Sequence, residues 1–186
     1  MEDRITSIIM ESRALHEQLL TLAPRIEQAL QMMISCIETG GKIMFAGNGG
    51  SAADAQHLAA ELVNRFKKER RPLAGIALST DTSVITSIAN DYSFDEIFSK
   101  QIMAIGRTGD LFVGISTSGS SKNVTRAMET ARDMGIATIG LTGRGGRIKD
   151  LADCALAVPS GNTPRVQEAH ILIGHILCEL LESAFC

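Results

Sequence analysis

The residues KIMFAGNGGSAADAQHLAAELVNRF, from Lys42 to Phe66, decide the fold of this chain. The first six, KIMFAG, are mostly apolar and predict a buried strand. The small residues GNGGSA follow as a turn whose backbone can approach a ligand closely. The remainder, ADAQHLAAELVNRF, predicts a helix whose first N–H groups face the same place. The stretch therefore predicts an anion-binding turn, and phosphate is the anion that fits it best.

The predicted helix carries one pair of side chains that could do chemistry. His57 and Glu61 are four residues apart, so they lie on one face of the helix. The spacing alone leaves two interpretations open: a catalytic pair beside the anion site, or an ordinary surface contact on an amphipathic helix. An imidazole and a carboxylate next to an anion-binding turn favour an enzyme.

Strands and helices alternate along the rest of the chain. The further predicted strands are 73–79, 110–115, 137–141 and 155–158, and the predicted helices are 84–89, 92–106, 123–134, 148–152 and 165–184. Such alternation predicts a parallel sheet with helices on both faces. The strands are almost wholly apolar, as expected for a sheet buried on both sides. We therefore predict one α/β domain over residues 1–186, with a five-stranded parallel sheet.

Residues 3–38 predict two helices before the first strand. Apolar residues recur at helical spacing, and Pro24 places a break at residues 22–24. Gly40 and Gly41 end the second helix. Because the first helix is apolar over more than a narrow stripe, we expect this N-terminal extension, residues 1–40, to pack against another subunit. The alternative is a helix that folds back on its own domain.

Length and composition exclude several classes of protein. The chain has 186 residues, enough for one domain with a sizeable core. With a net charge of −3, no Trp and one Tyr, it lacks the basic and aromatic surface that binds nucleic acid. The N-terminus has no apolar signal region, and no stretch is long and apolar enough for a membrane span. We expect a cytoplasmic protein.

The four cysteines, Cys36, Cys154, Cys178 and Cys186, form no C-x-x-C pair. Cys36 and Cys178 lie in apolar helical patterns, where a thiol behaves as a small hydrophobic group. We interpret the cysteines as reduced and structural. A disulfide or a thiolate metal site is the alternative.

A second turn, STSGSS at residues 116–121, carries five hydroxyl groups in six residues. A polar turn with an N-cap serine explains one or two of these hydroxyls but not five. Hydroxyl and backbone N–H donors between a strand and a helix form a phosphate cradle. Both turns follow strands of a parallel sheet, so both lie at its carboxyl edge. Together they predict a site for a small phosphorylated metabolite.

The first turn also matches the dinucleotide-binding pattern G-x-G-x-x-A over Gly47–Ala52. That fold would require an acidic residue at the end of the second strand. The second strand instead ends in Ser79 and Thr80, and Asp81 comes later than expected. The pattern therefore gives a dinucleotide site only weak support.

The segment PRVQEAHILIGH, residues 164–175, holds two further histidines. His175 lies among apolar residues, and from this segment alone a core or helix-packing role is favoured over a chemical one. His170 is five residues earlier and so points elsewhere on a helix. We interpret His170 as structural or surface.

Four segments together resemble the phosphoheptose isomerases, enzymes with a sugar isomerase (SIS) domain. They are GNGGSAADAQHLAAEL from Gly47, the Asn90-Asp91 pair, STSGSS from Ser116 and TPRVQEAHILIGH from Thr163. The match runs over nearly the whole chain in order and spacing. It implies an SIS-type, flavodoxin-like sandwich. It also implies interconversion of sedoheptulose 7-phosphate and D-glycero-D-manno-heptose 7-phosphate, which feeds ADP- or GDP-heptose synthesis for surface polysaccharides such as lipopolysaccharide.

The resemblance also implies roles for individual residues. It makes Glu61 the base and His175 the acid of an isomerisation through an enediol. It implies a homotetramer with sites at subunit interfaces and one zinc ion per subunit, held by residues His57, Glu61, Gln167 and His175. The substrate-binding residues that it implies are Asn48, Gly49, Gly50, Ser51, Glu61, Asn90, Asp91, Ser116, Thr117, Ser118, Ser121 and Gln167.

The spacing of two residues along the last predicted helix limits the implied zinc site. Gln167 and His175 are eight residues apart, which is about 12 Å of rise along a helix. Both reach one ion only if Gln167 lies at or before the helix start, or if they come from different subunits.

Some similar SIS proteins bind a replication-initiation protein instead of turning over sugar, since a shared fold does not determine function. The presence of His57, Glu61 and His175 favours the enzyme.

Overall fold

Five parallel strands form the centre of the structure, a computed structural model that describes all 186 residues. The strands are β1 (Ile43–Gly47), β2 (Gly75–Ala77), β3 (Leu111–Ser116), β4 (Ala137–Thr142) and β5 (Cys154–Ala157). The helices are α1 (Glu2–Gln18), α2 (Ala23–Glu38), α3 (Gly50–Val63), α4 (Thr82–Asp91), α5 (Ser99–Ile105), α6 (Lys122–Asp133), α7 (Arg147–Leu151) and α8 (Thr163–Ala184). Short 3-10 turns lie at Leu19–Leu22 and Phe94–Glu96.

The strand order is β2-β1-β3-β4-β5, and every neighbouring pair is parallel. This is the flavodoxin-like order, in which the direction of winding reverses between β1 and β3. Gly47 at the end of β1 lies opposite Ile115 near the end of β3. The turns that follow these two strands therefore start side by side, at the place where open α/β sheets bind ligands. The predicted parallel α/β sandwich is confirmed.

Two apolar layers cover the two faces of the sheet. Along β1, Ile43 and Phe45 join the core formed with α2, α3 and α8, whereas Met44 and Ala46 join the core under α5 and α6. This division follows the two-residue period of a strand. All five residues of β1 and all six of β3 are buried, as predicted for a sheet covered on both sides.

The N-terminal extension divides where the sequence predicts. α1 ends at Gln18, a 3-10 turn follows, and α2 begins at Ala23 with Pro24 in its first turn. α2 buries its apolar face in its own domain. α1 buries only Leu15 and leaves the large side chains Ile5, Ile8, Ile9 and Met10 about half exposed. The packing of α1 against another subunit stays a prediction.

The predicted end points of the helix after the first turn are wrong. α3 begins at Gly50, inside the predicted turn, and ends at Val63 instead of Phe66. Asn64 leaves the helical region with φ −87° and ψ −97°, so the chain turns away from the helix axis. The early start brings the N-terminus of α3 directly onto the glycine turn.

The second strand is shorter and less buried than predicted. The sequence predicts a buried strand over 73–79, but β2 has only three residues and its central Ile76 is 39% exposed. β2 lies at the edge of the sheet, so it pairs on one side only. Leu73 donates its N–H to the carbonyl of Leu62 instead of joining the ladder.

The segment after β2 also differs from the prediction in detail. The Asp81 side chain caps the helix that follows β2, since it accepts the N–H of Val84 at 2.9 Å. α4 spans Thr82–Asp91 instead of the predicted 84–89, so residues 90 and 91 lie in its last turn. The single helix predicted over 92–106 is wrong. Ser93 is fully extended (φ −165°, ψ 162°) and separates α4 from the 3-10 turn and α5.

Two of the cysteines behave as the apolar patterns predict. Cys36 on α2 and Cys178 on α8 are buried in the core. Burial raises the pKa of Cys36 to about 11 and that of Cys178 to about 12, so both thiols are protonated at neutral pH. Cys154 is buried as well, and Cys186 is exposed at the C-terminus. None of the helices combines the length and apolar character needed to cross a bilayer.

Candidate active site

The first turn needs its glycines for two separate reasons. Gly49 has φ 56° and ψ −121°, a backbone conformation that residues with a Cβ rarely adopt. A Cβ on Gly47 would come within 2.6 Å of the backbone oxygen of Ser51. Ser51 is itself buried beneath the turn. The backbone of the turn is therefore packed closely under the first N–H groups of α3, an arrangement that suits an anion or a polar sugar.

A reciprocal pair of side-chain amides joins the two turns. Asn48 donates to the side-chain oxygen of Asn123 at 2.9 Å, and Asn123 donates back to Asn48 at 2.8 Å. Asn123 lies in α6 and is almost fully buried. Asn123 is not among the site residues predicted from the sequence, although it lies four residues before the buried Ala127 and so on the inner face of its helix. The pair holds the two turns in one relative position.

Three hydroxyl groups meet in the second turn. Ser116 Oγ lies 2.9 Å from Ser121 Oγ and 3.4 Å from Ser118 Oγ. Ser121 is the residue before α6, so the hydroxyls lie at the N-terminus of that helix. The backbone carbonyl of Thr117 accepts the N–H of Gly143, which ties the turn to the end of β4. Hydroxyl and helix N–H donors at one place are what a phosphate group requires.

Asn90 and Asp91 are exposed at the end of α4, and Asn90 donates to the Asp91 carboxylate at 2.8 Å. Neither forms a hydrogen bond with a residue of the two turns. The structure therefore does not join them to the other predicted substrate residues. Asp81 is the N-cap of α4, a structural use that further weakens the dinucleotide interpretation.

α3 and α8 pack side by side and run in the same direction. A Cβ added to Gly50 would collide with the side-chain amide of Gln167, so Gln167 lies against the first turn. About two turns further along both helices, a Cβ on Gly174 would come within 2.6 Å of Leu58. The absence of a side chain at position 174 lets the two helices approach closely.

This packing brings together three of the predicted chemical residues. His57 Nε2 lies 3.2 Å from Glu61 Oε1, and the ring centroids of His57 and His175 are 5.0 Å apart, edge to face. The ring of Phe66 packs on the other histidine, His175, with 5.4 Å between centroids. The Nε2 atom of His175 is buried and has no hydrogen-bond partner. Because buried polar atoms are rarely left unpaired, this atom favours a chemical role over simple packing.

A zinc site that is complete within one chain does not fit this arrangement. No three His, Cys, Asp or Glu side chains are placed closely enough to hold a metal ion. α8 begins at Thr163, so Gln167 does not lie at or before its start. Gln167 and His175 are thus separated by about 12 Å of helix. The imidazoles and the carboxylate of His57, Glu61 and His175 are donors that suit zinc, and the unpaired His175 Nε2 is available.

The structure adds one ionisable group, Asp54, that is not among the residues predicted from the sequence. Asp54 lies on α3, one turn before His57, and its Oδ2 atom is buried without a partner. Burial raises the pKa of the Asp54 carboxyl, and the nearby His57 acts in the opposite direction. The only signal in the sequence was its spacing, three residues before His57 on a helix.

His170 is structural, one of the two roles foreseen for it. It is buried, and its Nε2 lies 3.1 Å from the carbonyl oxygen of Thr142, to which it donates. Burial lowers the pKa of His170 to about 4, so the ring is neutral at neutral pH. His170 therefore ties α8 to the end of β4.

Comparison with known proteins agrees with this geometry. The SIS domain family model matches residues 9–143. The chain is 50% identical to a phosphoheptose isomerase from Rhodospirillum rubrum, over the full length of both chains. It is 54% identical to one from Helicobacter hepaticus, over 90% of this chain and 86% of that relative.

A solved structure shares the whole fold. The phosphoheptose isomerase of Neisseria gonorrhoeae superposes with a TM-score of 0.92 at 45% identity, covering 98% of each chain. Identity of this size over complete chains, together with the two joined turns and the His57, Glu61 and His175 cluster, establishes the family. The chain belongs to the phosphoheptose isomerases of the SIS-domain family and is an isomerase.

Proposed function

We propose that this isomerase interconverts sedoheptulose 7-phosphate and D-glycero-D-manno-heptose 7-phosphate through an enediol. The observation that carries the proposal is the joining of two anion-binding turns by Asn48 and Asn123 at the carboxyl edge of the sheet, together with the helix pair α3 and α8 that holds Glu61 and His175. The names of the similar proteins support a heptose phosphate as the substrate. In this role the enzyme is cytoplasmic and supplies ADP- or GDP-heptose synthesis.

The second turn is the proposed binding site of the phosphate. Its converging hydroxyls and the N-terminus of α6 support this assignment, because a phosphate accepts several hydrogen bonds at once. The first turn is the proposed binding site of the sugar. The residues proposed to contact substrate are Asn48, Gly49, Gly50, Ser51, Glu61, Asn90, Asp91, Ser116, Thr117, Ser118, Ser121 and Gln167.

Aldose–ketose isomerisation moves one proton between two neighbouring carbons and another between their oxygens. Glu61 takes the proton from the carbon beside the carbonyl and returns it to the neighbouring carbon. His175 donates a proton to the carbonyl oxygen and takes one from the adjacent hydroxyl, for which an imidazole is suited near neutral pH. The partly buried Glu61 carboxylate and the unpaired Nε2 of His175 support these roles.

We further propose a homotetramer with one zinc ion per subunit, held by His57, Glu61, Gln167 and His175 drawn from more than one subunit. The distance along α8 is the reason for drawing Gln167 and His175 from different subunits. Exposed apolar side chains on α1 support an interface between subunits. When bound, zinc polarises a carbonyl and stabilises negative charge on oxygen.

The central test is turnover of sedoheptulose 7-phosphate by the pure protein, with the aldose product detected by NMR. We expect conversion, and much weaker conversion of unphosphorylated sedoheptulose because the second turn then has nothing to bind. Absence of turnover both with and without added zinc would overturn the proposal. Tight binding of a replication-initiation protein in place of turnover would identify a regulator.

Removal of metal tests the zinc proposal separately. We expect dialysis against a chelator to lower both turnover and the melting temperature, since a ligand that binds only the folded protein stabilises it. Added zinc should restore both quantities, whereas added magnesium, which prefers oxygen ligands, should not. If activity and melting temperature are unchanged after chelation, the zinc proposal fails.

A further inference from the structure

A buried ion pair lies where α3 ends, outside the residues discussed so far. The carboxylate of Glu182, on α8, accepts the backbone N–H groups of Phe66, Lys67 and Lys68, each at 2.8 Å. Arg70 Nε lies 3.6 Å from Glu182 Oε1, and the two side chains are only 2% and 1% exposed. We name this pair the Arg70–Glu182 clasp.

One half of the clasp holds the backbone of the proposed base. The guanidinium of Arg70 donates to the carbonyl oxygen of Glu61 at 2.7 Å and to that of Leu62 at 2.9 Å. It also donates to the carbonyl of Asn64 at 3.2 Å. The last carbonyls of a helix have no partner within the helix. Arg70 thus terminates α3 and fixes the backbone from which the Glu61 carboxylate extends.

The other half holds the residue that packs on the proposed acid. Glu182 fixes the backbone N–H of Phe66, whose ring lies 5.4 Å from the ring of His175. Glu182 and His175 are seven residues apart on α8, so they lie two turns apart on one face. The same carboxylate therefore ties α8 to the segment that covers His175.

The charge of Glu182 suits this role. Burial raises the pKa of the Glu182 carboxyl, but the three backbone N–H donors and the Arg70 guanidinium outweigh that effect and hold the pKa below its usual range. The carboxylate is therefore ionised at neutral pH. Since a buried ion pair is often no more stabilising than a well-packed apolar pair, stability alone is a weak reason for its presence.

We propose that the Arg70–Glu182 clasp positions Glu61 and His175 for proton transfer. The proposal rests on the roles given to those residues under the proposed function. Arg70 and Glu182 are positioning residues, because each acts through the backbone or a neighbouring ring. None of their hydrogen bonds involves the two substrate-binding turns. Loss of the clasp is therefore expected to slow turnover without weakening substrate binding.

The test compares Glu182→Gln with Glu179→Gln. Glu179 is on the same helix and contacts the same segment through Lys67 Nζ at 2.7 Å, but it is half exposed. Glutamine at position 182 cannot accept all three N–H groups and loses the charge that faces Arg70. We expect kcat to fall by about 10- to 100-fold with KM within about twofold of the original, whereas Glu179→Gln changes neither.

A second measurement does not depend on turnover. The chain has four histidines, and His175 can be assigned in NMR spectra as the ring resonance lost in His175→Gln. In Glu182→Gln we expect the His175 resonance to move while those of His16 and His170 stay in place. If the original protein does not isomerise sedoheptulose 7-phosphate, the proposed function fails, and the NMR comparison still decides the clasp.

Three results would overturn the proposal. The first is a folded Glu182→Gln that retains kcat or leaves the His175 resonance unmoved. The second is a rise in KM that accounts for the lost activity. If Glu182→Gln does not fold, Arg70→Lys takes its place under the same criteria, because lysine keeps the charge but cannot reach the carbonyls of Glu61, Leu62 and Asn64 together. The third result that would overturn the proposal is failure of both variants to fold, because the clasp would then be a requirement of the fold.

Discussion

Glu61→Gln is expected to lower kcat for sedoheptulose 7-phosphate by about 10²- to 10⁴-fold, the range that a general base contributes. Glutamine has nearly the same shape as glutamate, and it retains a polar contact with His57, which is 3.2 Å away. It cannot accept a proton from carbon. Because Glu61 is partly exposed on the side of α3, we expect the melting temperature to stay close to that of the original protein.

The measurement is steady-state turnover with a matched surface control. Glu69→Gln removes a carboxylate that is 87% exposed and paired only with Arg65, so it should leave kcat and KM unchanged. A Glu61→Gln protein that is folded and retains more than about a tenth of the original kcat would remove Glu61 from the role of base.

Gly119→Ala is expected to lower kcat/KM by about 100-fold or more, because it moves the proposed phosphate site. Gly119 has φ 65°, where a residue with a Cβ is strained by about 1–2 kcal/mol. The added Cβ would also overlap the carbonyl oxygen of Gly145, a backbone atom that cannot rotate away. The turn that holds Ser116, Ser118 and Ser121 must then shift, and a displacement of about 1 Å is enough for this loss.

Gly145→Ala is the matched control for this experiment. A Cβ at Gly145 meets no atom within 4 Å, and its φ is not in the positive range, so activity should be unchanged. Backbone strain alone should lower the melting temperature of Gly119→Ala by about 2–8 °C. If Gly119→Ala retains the original KM for the phosphorylated substrate, the second turn is not the phosphate site.

Much of the fold follows from the pattern of the sequence. Apolar strands that alternate with amphipathic helices require a parallel sheet with covered faces, and the structure has one. The least accurate prediction concerns β2, the strand at the edge of the sheet. β2 spans three residues, Gly75–Ala77, because half of its surroundings are solvent instead of a second strand. Apolar composition alone does not distinguish an edge strand from a central one.

The site, like the fold, is predictable from the sequence only in part. The sequence identifies Glu61 and His175 as chemical residues by their residue types and by the family that the chain resembles. It does not reveal that Asn123 joins the two turns, because a contact across 75 residues leaves no periodic signal. Nor does it reveal the Arg70–Glu182 clasp, whose members are far apart in the chain and read as ordinary surface charges.

By itself, the stretch from Lys42 to Phe66 determined the strand, the glycine turn and the helix that carries His57 and Glu61, because these depend on side-chain bulk and on local periodicity. The order of the strands, which puts the turn after β1 beside the turn after β3, was decided by tertiary structure. So was the parallel packing of α3 on α8 that brings His175 to His57. The physical reason is that local spacing specifies which face of an element is apolar, whereas the neighbour that covers this face is chosen by the packing of the whole chain.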